Sequence, residues 1–186
     1  QGTAGGRGPG FVGEGTWNAP FAEGGFHRAE HFFGSGVRVE GEDVWLVPSR
    51  ALVDRVLYCF RGEELIASNS LALLLGHTGA RLDPAFDYRG PSYTILRGID
   101  HYDPRIPVLH PEIAELRQLF HHPLRVGPDG TERGEAAPAA RIGSFEEYRE
   151  RVGAALSRIR DNLRAPERRR RVAAFSTISA GYDSPA

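Results

Sequence analysis

A chain of 186 residues that is 40% hydrophobic can bury one large core or two small ones, and its net charge of −1 excludes a surface dedicated to nucleic acid, which shows as a large basic excess. No apolar stretch approaches the roughly 20 residues that span a bilayer, and no charged-then-apolar leader opens the sequence, so a cytoplasmic protein without membrane spans is expected. All 23 basic residues are arginine, which excludes lysine chemistry such as a Schiff base or a Walker phosphate loop, and the absence of methionine, even at position 1, predicts a piece of a longer product.

Residues 1–16 are rich in glycine and read as a flexible linker, with order beginning near Trp17. From Phe26 to Asn69, β-prone runs alternate with turn signals: 26–33, 37–40, 43–47, 55–60 and 64–68, with hairpin turns at 40–43 and 60–63. An antiparallel meander is the expected result. Cys59, the single cysteine, sits among Tyr58, Phe60 and aliphatic neighbours, which predicts a buried, inert thiol and leaves no internal disulfide.

A short apolar helix is expected over 70–76, with Ser70 at its cap and Gly76 at its end. The proline-rich stretch 91–110 reads as irregular, and 112–120 fits a helix turn or a strand equally. Pro128-Asp129-Gly130 is a strong turn signal between two further strands. His101, His110, His121 and His122 lie in loop-like sequence without the i, i+4 spacing of a helical metal site, so exposed loop residues are expected rather than ligands.

Residues 134–143 have the composition of a domain linker, and beyond them the period changes from two to 3.6. Ser144 and Glu147 form a capping box that opens a helix over 145–163, with Phe145, Tyr148, Val152, Leu156, Ile159 and Leu163 on one side. The arginine run 168–171 reads as a solvated loop, and 172–178 as a buried parallel strand. Such a strand, ending in Ser179-Ala180-Gly181-Tyr182-Asp183-Ser184, aims backbone amides and hydroxyls at the edge of a sheet, where phosphate fits.

That hexapeptide resembles the S-G-G-x-D-S loop of the ATP pyrophosphatases. The stretch Arg55–Ser68 with the helix after it, residues 112–119, and Ser144–Tyr148 leading to the loop are similar in order to asparagine synthetase (glutamine-hydrolysing) and its relatives. The resemblance implies an α+β N-terminal domain of antiparallel sheets, of the N-terminal-nucleophile glutaminase type and incomplete, over 17–133. After the linker it implies the start of an α/β PP-loop domain, adenine nucleotide α-hydrolase-like, over 144–186. It further implies ATP and Mg2+ bound by Ser179, Gly181, Tyr182, Asp183 and Ser184, with Asp183 as the metal ligand, and a small-molecule carboxylate as substrate.

On that reading the protein is an ATP-dependent carbon–nitrogen ligase, the 186 residues alone are inactive, and a homodimer is left open. Ala180 departs from the motif, and neither Gln1 nor Cys59 stands where the glutaminase nucleophile belongs, so no catalytic residue is assigned. Two other readings remain: a different PP-loop ATP pyrophosphatase, and a non-catalytic scaffold of the same ancestry that binds partners.

Overall fold

The computed structural model describes residues 5–8, 10–51, 54–98, 101–134 and 141–169. The protein is mixed α+β, built on two antiparallel sheets. Sheet A holds β1 (Gly5–Gly8), β2 (Phe11–Trp17), β3 (Phe32–Glu40), β4 (Asp43–Val47), β10 (Leu124–Gly127) and β11 (Gly130–Arg133), in the order β1-β2-β3-β4-β10-β11. Sheet B holds β5 (Val56–Arg61), β6 (Glu64–Ser68), β7 (Arg81–Leu82), β8 (Arg105–Leu109) and β9 (Glu115–Leu119), in the order β6-β5-β9-β8-β7.

Of the expected meander the two hairpins are present, closing at Glu40↔Asp43 and Arg61↔Glu64 over Gly41 and Gly62, both at positive φ, but it is split between the sheets: β4 pairs with β10 and β5 with β9 rather than with each other. Alternation along each strand then sorts the core. Leu46 and Leu124 of sheet A meet Val56 and Tyr58 of sheet B, flanked by Val37, Val126, Leu65 and Leu119. The other face of sheet B, with Leu57, Cys59, Ile66 and Leu116, packs under Leu74 of helix α1 (Leu71–Thr78). The other face of sheet A is aromatic: Phe11, Trp17 and Phe32 pack with Phe21 and Phe26, which come from two 3-10 turns at Phe21–Glu23 and Gly25–His27.

Several expectations are corrected. The glycine-rich start contains strands rather than loop, since β1 and β2 pair along their length and β2 buries Phe11 and Trp17. Its glycines are used for contact: Gly13 and Gly36, opposite each other, form the floor under Phe26, where a Cβ would lie 3.4 and 2.7 Å from the ring. Residues 26–31 do not join the strand that ends the run 26–33. A 3-10 turn there folds Phe26 back so that it stacks on Phe32 at 5.0 Å, and burial of that ring outweighs β propensity.

Helix α1 is capped by Ser70 as expected but continues past Gly76 to Gly79, whose φ of 74° and bond to the Leu75 carbonyl make it the true C-cap. The stretch 91–110 is partly regular, with a helical turn α2 (Arg89–Tyr93), a 3-10 turn at Thr94–Arg97, and β8. The ambiguous 112–120 resolves as strand, because β9 sits between β5 and β8 and buries Leu116.

Helix α3 (Phe145–Leu163) has the expected bounds. Ser144 accepts from the Glu147 amide at 3.1 Å, and the Glu147 carboxylate accepts from the Gly143 amide at 2.8 Å, one residue further back than a simple capping box requires. Its apolar side is mostly in water: Phe145 is 76% and Leu156 61% exposed, and only Asn162 and Leu163 are buried. The expected linker core at 135–140 and the strand 172–178 lie outside the described residues.

Candidate functional site at the junction of helix and sheet

The phosphate-loop residues Ser179, Gly181, Tyr182, Asp183 and Ser184, with Ala180, lie outside the described residues. What the structure describes is the approach to them, where α3 ends against β2. Pro166 cannot continue a helix, and the turn that follows, closed by the Arg168 amide on the Ala165 carbonyl at 3.2 Å, returns Arg168 to the helix end.

Arg168 is buried, at 8% exposure. Its Nε donates to the Asn162 carbonyl at 2.7 Å, and its Nη2 donates to the Gly15 carbonyl at 2.9 Å and to Asn162 Oδ1. The guanidinium lies 4.4 Å from the centre of the Phe21 ring and 5.7 Å from that of Trp17, and these two rings stack on each other at 5.3 Å. Asn162 completes the connection, accepting from Thr16 Oγ1 at 3.0 Å and donating to the Ala19 carbonyl at 2.7 Å. No carboxylate among the described residues pairs with Arg168, so its charge is balanced by carbonyl dipoles and π faces alone; burial lowers its pKa from the usual arginine value.

The first arginine of the run 168–171 is therefore a structural cation and not part of a solvated loop. Nothing in the local sequence separates Arg168 from Arg169, which is exposed; the difference arises from a turn whose partner strand lies about 150 residues earlier in the chain. Thr16 and Asn162 are equally silent in the sequence, since the helical period marks Leu163 and passes over its polar neighbour.

A groove of about 880 Å³ lies between α3 and the start of β3, with Phe33, Val152, Ala155, Ile159, Glu30 and Arg158 among the residues that line it.

A second polar group sits on the aromatic face of sheet A. His27 is 5% exposed, and among the described residues neither ring nitrogen has a hydrogen-bond partner; its Nε2 lies 3.5 Å from Glu40 Oε2 and its ring 5.3 Å from that of Trp45. Glu40 is already engaged by Arg28 at 2.5 Å, so burial dominates and, with Arg28 and Arg38 nearby, holds the imidazole pKa below the usual 6.5. On the inward face Asn69 donates to both Glu14 Oε2 and Ser35 Oγ at 3.0 Å, tying the entry of α1 to β2 and β3.

Cys59 is buried in the aliphatic layer as expected, and burial raises its thiol pKa. Two other histidines serve local structure. His110 Nδ1 accepts from the amides of Glu112 and Ile113 at 3.1 Å, and His121, at φ 62°, hydrogen-bonds through Nδ1 to the Arg50 carbonyl at 3.0 Å. Among the described residues no group of three or more His, Cys, Asp or Glu side chains could hold a metal ion, and no helix is long and apolar enough to cross a membrane.

In comparisons with known proteins, no family model matches the chain, no curated protein matches it, and no solved structure matches it.

Proposed function

We propose that this chain belongs to an ATP-dependent amide-forming ligase of the asparagine-synthetase type, and that Ser179 to Ser184 bind the pyrophosphate end of MgATP. The observation that carries the reading is the order of parts: a two-sheet antiparallel unit, a capped 19-residue helix, and then an apolar run that enters Ser-Ala-Gly-Tyr-Asp-Ser. The donor set of that turn suits the ligand. Hydroxyls of Ser179 and Ser184 and the amides around Gly181 would meet phosphate oxygens, and the Asp183 carboxylate would hold Mg2+, which takes oxygen ligands.

The proposed reaction has two steps. A substrate carboxylate oxygen attacks the α-phosphorus of ATP, the bond to the pyrophosphate oxygen breaks, and an acyl adenylate forms. Ammonia or an amine then attacks the acyl carbon, AMP departs with the bonding pair, and the nitrogen loses a proton. The loop would contribute by holding the pyrophosphate group, with Mg2+ on Asp183, while the carboxylate reacts.

The test is calorimetric titration of the full-length chain with MgATP. The parent is expected to bind, Asp183→Ala to bind at least about tenfold more weakly, and Ala180→Gly to bind as well or better, since glycine would remove any clash of the Ala180 Cβ. Equal binding by the parent and Asp183→Ala sinks the proposal. A scaffold of the same ancestry is the second reading; Ala180 and the exposed apolar side of α3, a surface suited to a partner, favour it.

A further inference from the structure

Among the described residues, the hydrogen bonds that tie helix α3 to the sheets lie at its C-terminal end. Four of its apolar side chains, Phe145, Tyr148, Val152 and Leu156, are exposed, whereas Asn162 and Leu163 are buried beside β2. The fixed end concentrates the polar contacts to the sheet: Thr16 to Asn162, Asn162 to the Ala19 carbonyl, and Arg168 to the carbonyls of Gly15 and Asn162 and to Asn162 Oδ1. The chain that leaves this end therefore starts from a set point.

We propose that Arg168 is a positioning residue, the centre of a joint that fixes the exit of α3 to the end of β2 and so sets where the following segment begins relative to the two sheets. The planar fork of a guanidinium is what this geometry uses: two nitrogens reach three oxygens while the face lies on Phe21 and Trp17. A lysine ammonium would keep the charge but lose both the fork and the stacking. The acceptors are two backbone carbonyls and an amide, so the joint holds independently of the protonation of any carboxylate. Its role toward nucleotide rests on the proposed function, in which Ser179 to Ser184, downstream of Arg168, must be presented at a defined place.

The experiment is hydrogen exchange on the full-length chain, with MgATP titration in parallel, for Arg168→Lys, Arg168→Ala and Asn162→Ala. Expected is exchange faster by about tenfold or more in the last turns of α3 in all three variants, with β3 and β4 unchanged, and a several-fold weaker MgATP affinity. Acceleration that is equal in α3, β3 and β4 overturns the proposal, because Arg168 then serves only global stability; so does exchange in α3 at the parental rate. If Arg168→Ala does not fold, the lysine and Asn162 variants decide by the same criteria. A parent that binds no MgATP defeats the functional reading, and the joint is then judged on exchange alone. A parent that binds, with variants loosened in α3 yet equal in affinity, defeats the positioning role and leaves the functional reading standing.

Discussion

The outward faces of the two sheets solve the same problem by different chemistry. Sheet B hides Leu57, Cys59, Ile66 and Leu116 under an aliphatic helix, and no buried side chain in that layer carries a formal charge. Sheet A hides an aromatic cluster under two 3-10 turns, and the same layer takes in an imidazole and a guanidinium. Aliphatic packing under a helix tolerates small shifts of shape. Ring packing over glycines does not, because each ring needs a flat floor and the buried guanidinium needs its own acceptors. The layer that is harder to build is also the one onto which α3 docks, so the molecule places its specific contacts where two parts of the chain distant in sequence must meet.

The sharpest way to break this comparison is to add one methyl to each sheet. At Gly15, where φ is 105° and a Cβ would lie 1.9 Å from the Phe33 carbonyl oxygen, alanine should cost more than about 3 kcal/mol or prevent folding. At Gly62, where φ is 59° but the space is open, alanine should cost only about 1 kcal/mol. Urea denaturation of both variants measures the difference; equal costs would show that the glycine pairing of β2 and β3 is not what specifies sheet A.

A smaller effect sharpens the polar side of the contrast. The folded state holds the His27 imidazole pKa below 6.5, so the unfolded chain takes up a proton first as pH falls. The stabilisation from this residue is complete above 6.5 and is lost progressively as pH drops below it. The groups facing the ring are Glu40, Arg28, Arg38 and Trp45; of these Glu40 alone opposes the shift, and Arg28 already holds it. The urea midpoint should therefore fall between about pH 7 and pH 5.5, and fall less in His27→Gln. A parental midpoint that rises over that range would mean the folded protein holds His27 charged.

The smallest effect belongs to sheet B. Burial raises the Cys59 thiol pKa, so alkylation of the folded chain at neutral pH should be slower than that of a free thiol and should reach the free-thiol rate in denaturing urea. Fast modification of the folded chain would show that the aliphatic layer opens more readily than the aromatic one.

Much of sheet B is legible in the amino-acid sequence. The hairpin at Gly62, the Ser70 cap and the alternation through Cys59 are signals carried within a few residues, and the same holds for the capping box and length of α3. The strands β1 and β2 are not legible, because glycine lowers β propensity wherever it is met, and only the partner strand reveals that Gly13 and Gly15 are required opposite Gly36 and Gly34.

By itself, then, the sequence determined which segments are strands with local turns, where two helices start, and that the thiol is buried, because periodicity and capping act over one or two turns of chain. Only the tertiary structure decided that Phe26 turns back onto Phe32, that Gly79 and not Gly76 ends α1, and that Arg168, unlike Arg169 beside it, is drawn under Trp17 and Phe21. The Arg168 choice depends on a strand about 150 residues earlier, the Phe26 choice on a ring six residues on and on the glycines of β2 and β3 beneath it, and the cap on a carbonyl one helical turn back. In each case the selecting free energy comes from the partner met in the fold rather than from any preference of the residue itself.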